Sequence, residues 1–92
     1  MLFRSREIHV KGVGLDFEPD SLRVRTGERI RLIFDGPGHT LTIDELKLDL
    51  RGGLQEPIVG GFIAPPPGIY AYYCAISGHR SSGMEGKLLV DP

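Results

Sequence analysis

The one cysteine of the chain, Cys74, is followed five positions later by His79 and five after that by Met84. A second histidine, His39, lies upstream behind the loop Asp35-Gly36-Pro37-Gly38. Together they offer a thiolate, two imidazoles and a thioether. Thiolate and thioether favour Cu(I), while imidazole accepts Cu(II). Two His and one Cys in a trigonal plane, with a weak axial Met, form the blue-copper arrangement of electron-transfer sites. The chemistry in view is a reversible one-electron change at a copper ion held by His39, Cys74, His79 and Met84.

Each of these residues also has a plainer reading. A lone Cys on a strand is a small buried hydrophobe, and a lone Met fills gaps. A lone His in a Gly/Pro loop is solvated. The metal reading therefore rests on the four side chains being aimed at one point, which the secondary structure must supply.

The sequence carries strong strand signals. Leu22 and Val24 alternate with Arg23 and Arg25, and Ile30, Leu32 and Phe34 alternate with Arg31 and Ile33. Leu41 and Ile43 alternate with Thr40 and Thr42, and Leu46, Leu48 and Leu50 alternate again. Period-two patterning marks strands with one buried face. Thr26-Gly27 reads as a turn, Gly52-Gly53 as a break, and Pro65-Pro66-Pro67-Gly68 as strong punctuation. Ile69 to Cys74 is a tyrosine-rich strand, and Lys87 to Val90 is the last one. Residues 44–61 read as a hairpin, a loop with one helical turn, or a mixture. No long amphipathic helix is evident. The expected fold is all-β, an antiparallel sandwich or barrel.

Alternation aims the ligands. His39 shares a strand face with Leu41 and Ile43, so it points inward at the strand's start. Tyr70, Tyr72 and Cys74 share one face, so Cys74 points inward at its strand's end. If these strands are antiparallel neighbours or face each other, both side chains meet at one end of the sandwich. The Gly- and Ser-rich loop from Ala75 to Gly83 can return His79 and Met84 to that end. Tyr70 and Tyr72 are expected in the core and Tyr73 on the outer face. His9, in a β-like run, is expected at the surface, as are most of the arginines, Arg80 included.

Composition narrows the alternatives. The 92 residues suit a single domain spanning 1–92 with one modest core. A net charge of −1 and a pI near 6.3 give no basic field for nucleic acid or an anionic membrane. No apolar run is long enough to span a bilayer. One cysteine excludes an internal disulfide, a four-thiolate zinc site and a dinuclear copper centre needing two thiolates. The chain has three histidines, too few for a second copper centre and oxidase chemistry. A Cys–His hydrolase would need an oxyanion-donor motif that is not evident. Zinc accepts the same Cys and His donors, although a Met in fourth place argues against it as the native metal.

The spacing Cys74-x4-His79-x4-Met84, with His39 upstream, resembles the cupredoxin family. The wider pattern is similar: Phe17-x-Pro19, Leu22-x-Val24, Gly27, His39-Thr40, Pro67-Gly68-x-Tyr70-x-Tyr72-Tyr73-Cys74, Gly78-His79 and Gly83-Met84-x-Gly86-x-Leu88-x-Val90. The likeness covers nearly the whole chain and is looser between Asp44 and Gly61. It implies a Greek-key cupredoxin β-sandwich, one type 1 copper ion, and one-electron transfer between redox partner proteins. It also implies that Thr40 ties the ligand strand to the ligand loop, and that Tyr73 offers electrons a second way in. By the same resemblance the domain works outside the cytoplasm, as a monomer, with an export signal or anchor absent from this chain; the start, MLFRSREI, lacks the apolar core of a signal peptide. A copper carrier or store is the second reading, and a redox-silent interaction module the third.

Overall fold

The computed structural model describes residues 5–92. Among the described residues nine strands run in chain order: β1 (Arg6–Val13), β2 (Asp16–Glu18), β3 (Ser21–Arg25), β4 (Arg29–Asp35), β5 (Thr40–Ile43), β6 (Leu48–Arg51), β7 (Ile58–Ile63), β8 (Gly68–Tyr73) and β9 (Glu85–Asp91). A 3-10 turn, Asp44–Leu46, separates β5 from β6. Residues 44–61 are therefore a mixture: a helical turn, the second strand of a hairpin, an irregular stretch and the start of β7. Among the described residues no helix is long and apolar enough to cross a membrane.

The strands form two sheets, ordered β2-β1-β4-β7 and β3-β9-β8-β5-β6. The alternating patterns are why they stack. On β3, Leu22 and Val24 are buried and the intervening arginines exposed; on β4, Ile30, Leu32 and Phe34 are buried. Val10 and Phe17 complete one inner face, and Leu41, Ile43, Leu50, Tyr72, Leu88 and Val90 line the other. Phe17 bridges them, its ring 5.1 Å from Tyr72 and 6.0 Å from Phe34. Alternate residues interdigitating between two sheets is how a sandwich buries its core.

The expected all-β sandwich is present, and among the described residues five of seven strand pairings are antiparallel. The other two, β1 with β4 and β3 with β9, run parallel. Parallel neighbours need a crossover. Here the chain leaves the first sheet through β3 before returning as β4 beside β1.

One alternation departs from expectation. All four residues of β5 are buried, Thr40 and Thr42 included. Burial of a hydroxyl is tolerated when it is hydrogen-bonded. The Thr40 and Thr42 hydroxyls bond each other at 3.0 Å, and Thr42 donates to Asp49 at 2.9 Å.

Candidate metal centre

β5 and β8 are antiparallel neighbours, with Thr42 opposite Tyr73. The start of one and the end of the other therefore lie at the same end of the sandwich. His39 immediately precedes β5 and Cys74 immediately follows β8.

The backbone around His39 is fixed from both sides. Its N–H donates to Gly36 at 2.9 Å, and its carbonyl accepts from Gly52 at 2.8 Å. Gly52 has to be glycine for this approach, since a Cβ there would overlap the Gly36 carbonyl oxygen at 1.8 Å.

The loop after Cys74 is wound by its own backbone. His79 N–H donates to Ile76 at 3.0 Å, Ser82 N–H to Gly78 at 3.1 Å, and Gly83 N–H to Arg80 at 3.0 Å. Two further bonds join the candidate ligands through their main chains. Met84 N–H donates to the His79 carbonyl at 3.0 Å, and Cys74 N–H donates to the Met84 carbonyl at 3.2 Å. Gly78 and Gly83 have φ of 81° and 108°, a region that strains other residues. The composition of the loop thus lets it double back within a few residues.

Three of the four candidate side chains, those of His39, Cys74 and His79, converge. The Nδ1 atoms of His39 and His79 are 3.2 Å apart. Cys74 Sγ lies 3.8 Å from His39 Nδ1 and 3.4 Å from His79 Nδ1. Cys74 is fully buried and the two histidines are partly buried. A triangle with edges of 3.2, 3.4 and 3.8 Å has its centre about 2.0 Å from every corner. That is a metal–imidazole bond length, roughly 2.0–2.1 Å for zinc, and slightly under the roughly 2.3 Å of a metal–thiolate bond. The three donors fit one ion with only a small lengthening at sulfur.

Met84 is also fully buried. Its methyl carbon and His39 Cδ2 both abut Gly12 of β1: a Cβ built on Gly12 would lie 3.2 Å from the first and 3.1 Å from the second. The Met84 side chain and the His39 ring thus both approach the end of β1.

The surroundings favour ligation. Thr40 N–H donates to Cys74 Sγ at 3.3 Å, a polar contact suited to a thiolate. Burial, aided by the neighbouring His79, holds the His39 imidazole below its usual pKa. The neutral ring is the form that binds metal. Thr40 Oγ1 accepts from Ala75 N–H at 2.7 Å, so Thr40 does tie the ligand strand to the ligand loop.

Tyr72 is in the core, its hydroxyl donating to the Pro19 carbonyl at 2.8 Å, and burial pushes its phenol pKa well up. Tyr70 is partly buried against the core. Tyr73 faces outward, as alternation predicts, and its hydroxyl donates to Asp44 at 2.7 Å. His9 is exposed on β1.

Arg80 is exposed, as expected, and it also makes two contacts that its place in the sequence does not reveal. It sits over the Tyr73 ring, 4.0 Å from the centroid, and pairs with Glu85 at 2.7 Å. Sequence reasoning also missed Gly12 and Asp49. Gly12 lies in a run with no alternation to reveal it, and the Thr42–Asp49 pairing shows only once the β5–β6 register is known.

No protein-family profile matches the chain. It is 29% identical over 90 residues to a plastocyanin of Synechococcus sp. (strain JA-2-3B'a(2-13)), a match covering 84% of this chain. The chain spans 65% of the length of that curated relative. Among solved structures it is similar to auracyanin A, a "blue" copper protein of Chloroflexus aurantiacus, with a TM-score of 0.77 and 21% identity over 96% of this chain and all of that one. It is also similar to the metal-binding domain, with Cu(I), of the Cu(I)-exporting P-type ATPase of Streptococcus pneumoniae D39. There the TM-score is 0.76 and the identity 14%, over 94% of this chain and 85% of that one.

Proposed function

We propose that this chain, a cupredoxin by fold, carries single electrons between redox partner proteins, and that His39, Cys74, His79 and Met84 would hold the one copper ion that supplies the redox couple. The observation that carries the reading is the donor triangle: two imidazole nitrogens and a buried sulfur around a point about 2.0 Å from each. The likeness to a plastocyanin and to auracyanin A supports it. When bound, copper supplies the Cu(II)/Cu(I) couple.

The chain's own residues do the rest. Cys74 and Met84, fully buried, keep water from the soft donors. Burial of His39 and the neighbouring His79 favour its neutral ring, the form that ligates metal. The backbone bonds joining Cys74, His79 and Met84 fix the donors in one arrangement. A donor set that does not rearrange suits rapid gain and loss of an electron. We further read residues 1–92 as a single domain, a monomeric carrier rather than an enzyme, working outside the cytoplasm.

A copper carrier is the second reading, favoured by the fold shared with the Cu(I)-exporter domain. Cargo ligands have to be reachable for exchange, and the zero exposure of Cys74 supports the electron carrier over it.

Titration with Cu(II), followed by optical spectroscopy, tests the proposal. Charge transfer from Cys74 sulfur to copper should give an intense visible band that saturates at one equivalent. A weakly absorbing complex would overturn the blue-copper reading. Loss of the metal within seconds to a modest chelator would favour the carrier.

A further inference from the structure

The ligand loop is connected to the protein surface by a line of hydrogen bonds through the buried β5 strand. Ala75 N–H donates to Thr40 Oγ1 at 2.7 Å, Thr40 and Thr42 hydroxyls bond at 3.0 Å, and Thr42 Oγ1 donates to Asp49 Oδ1 at 2.9 Å. We propose that Asp49, on the edge strand β6, is a positioning residue for the start of the ligand loop, acting on the Cys74–Ala75 peptide through the hydroxyls of Thr42 and Thr40.

The direction of every bond in the line is forced. A carboxylate oxygen only accepts, so Thr42 spends its single hydroxyl proton on Asp49. Thr42 must then accept from Thr40, which spends its own proton in turn. Thr40 is left with lone pairs to offer, and the Ala75 N–H can only donate to them. Thr40 and Thr42 are 1% and 9% exposed, so water does not offer their hydroxyls an alternative.

The strand register builds the line. Thr42 stands directly opposite Asp49, and Thr40 directly opposite Arg51. Arg51 holds the second carboxylate oxygen of Asp49 at 3.3 Å, leaving Oδ1 turned to Thr42. In a line of like-directed bonds each member polarises the next, and a charged terminus strengthens all of them. The last bond falls on the residue next to Cys74. The effect on a bound metal rests on the copper reading above; the effect on the Ala75 N–H does not.

Hydrogen exchange in the metal-free protein tests the line. Ala75 is exposed, so protection of its amide reports the bond to Thr40. Asp49→Ala and Thr42→Val should each speed Ala75 exchange several-fold relative to amides of β8 and β9, while Thr42→Ser retains protection. In copper-loaded protein both Asp49→Ala and Thr42→Val should raise the reduction potential, and the double variant should go no higher than Thr42→Val alone. Unchanged Ala75 exchange in both variants, or acceleration shared equally by all strands, would overturn the proposal. So would a potential shift from Asp49→Ala that persists in full in the Thr42→Val background, because that would be the charge acting through space. A protein that takes up no copper would refute the copper reading and leave the exchange result to decide this one.

Discussion

Arg80 spans from the ligand loop to β8 by sitting over the Tyr73 ring, 4.0 Å from its centroid, while its guanidinium pairs with Glu85 on β9 at 2.7 Å. The residue after His79 is therefore clamped to the residue before Cys74.

Removing that clamp should loosen the loop more than it destabilises the fold. The ion pair is about half exposed on both sides, and exposed pairs add little to stability. Arg80→Gln should leave the melting temperature nearly unchanged. Hydrogen exchange at Ser82 and Gly83, whose N–H groups bond within the loop, should accelerate. Unaltered exchange there would show that the backbone bonds alone hold the loop.

Gly12→Ala probes the space beneath Met84 and His39. The added methyl would lie 3.2 Å from the Met84 methyl and 3.1 Å from His39 Cδ2, so both side chains must give by a few tenths of an ångström. Overpacking of this kind costs about 1–3 kcal/mol. The variant should fold less stably and bind Cu(II) with an altered visible spectrum. A spectrum identical to the parent's would show that the crowding is relieved away from the site.

Cys74→Ser should abolish the visible band even where copper still binds, because a hydroxyl cannot replace the soft thiolate. Calorimetry gives a second readout. A ligand at a hundred times its Kd stabilises the folded state by about 2.7 kcal/mol. For a domain of this length each kcal/mol raises the melting temperature by about 4–8 °C. Copper should therefore raise the parent's melting temperature by about 10 °C or more, and a strong chelator should reverse it. The rise should be much smaller in Cys74→Ser, and an equal rise would remove Cys74 from the ligand set.

Met84 should tune the centre more than it holds it, since a long axial thioether is a weak ligand. Met84→Leu keeps similar apolar volume and removes a donor, which destabilises Cu(II) relative to Cu(I). Its reduction potential should rise with the colour retained. Met84→Gln brings a harder oxygen donor, and its potential should fall. For a one-electron couple, about 59 mV corresponds to a tenfold change in relative affinity for the two states. Voltammetry checks the ordering; two variants matching the parent would show that Met84 only packs.

Much of this architecture was legible because alternation both finds strands and aims side chains. Leu22, Val24, Ile30, Leu32 and Phe34 are buried where the pattern puts them. His39 and Cys74 meet because their strands are antiparallel neighbours, an arrangement posed as a condition by the sequence and met by the β5–β8 pairing. The short strand β2 and the glycine-containing strand β7 carry too weak a pattern to be read. Thr40 and Thr42 look like an outward face because their partners, Ala75 and Asp49, come from elsewhere in the chain. Arg80 is at the surface as read, but its contacts with Tyr73 and Glu85 were not legible because they form only after the loop has folded back.

The place of β9 between β3 and β8 bears on how the protein comes to be folded at all. During synthesis β3 emerges early and has no partner in its own sheet until residues 85–91 follow. Until then its edge groups are unpaired, and open strand edges invite association with other chains. Closing pairs so distant along the chain is intrinsically slow. The nascent chain has therefore already delivered Cys74, His79 and Met84 before its second sheet can close. A soft metal present at that stage meets a reachable thiol, whereas after closure it meets a buried one. On the copper reading, the order in which β9 and the metal arrive would decide whether the ion is built in or has to find its way in.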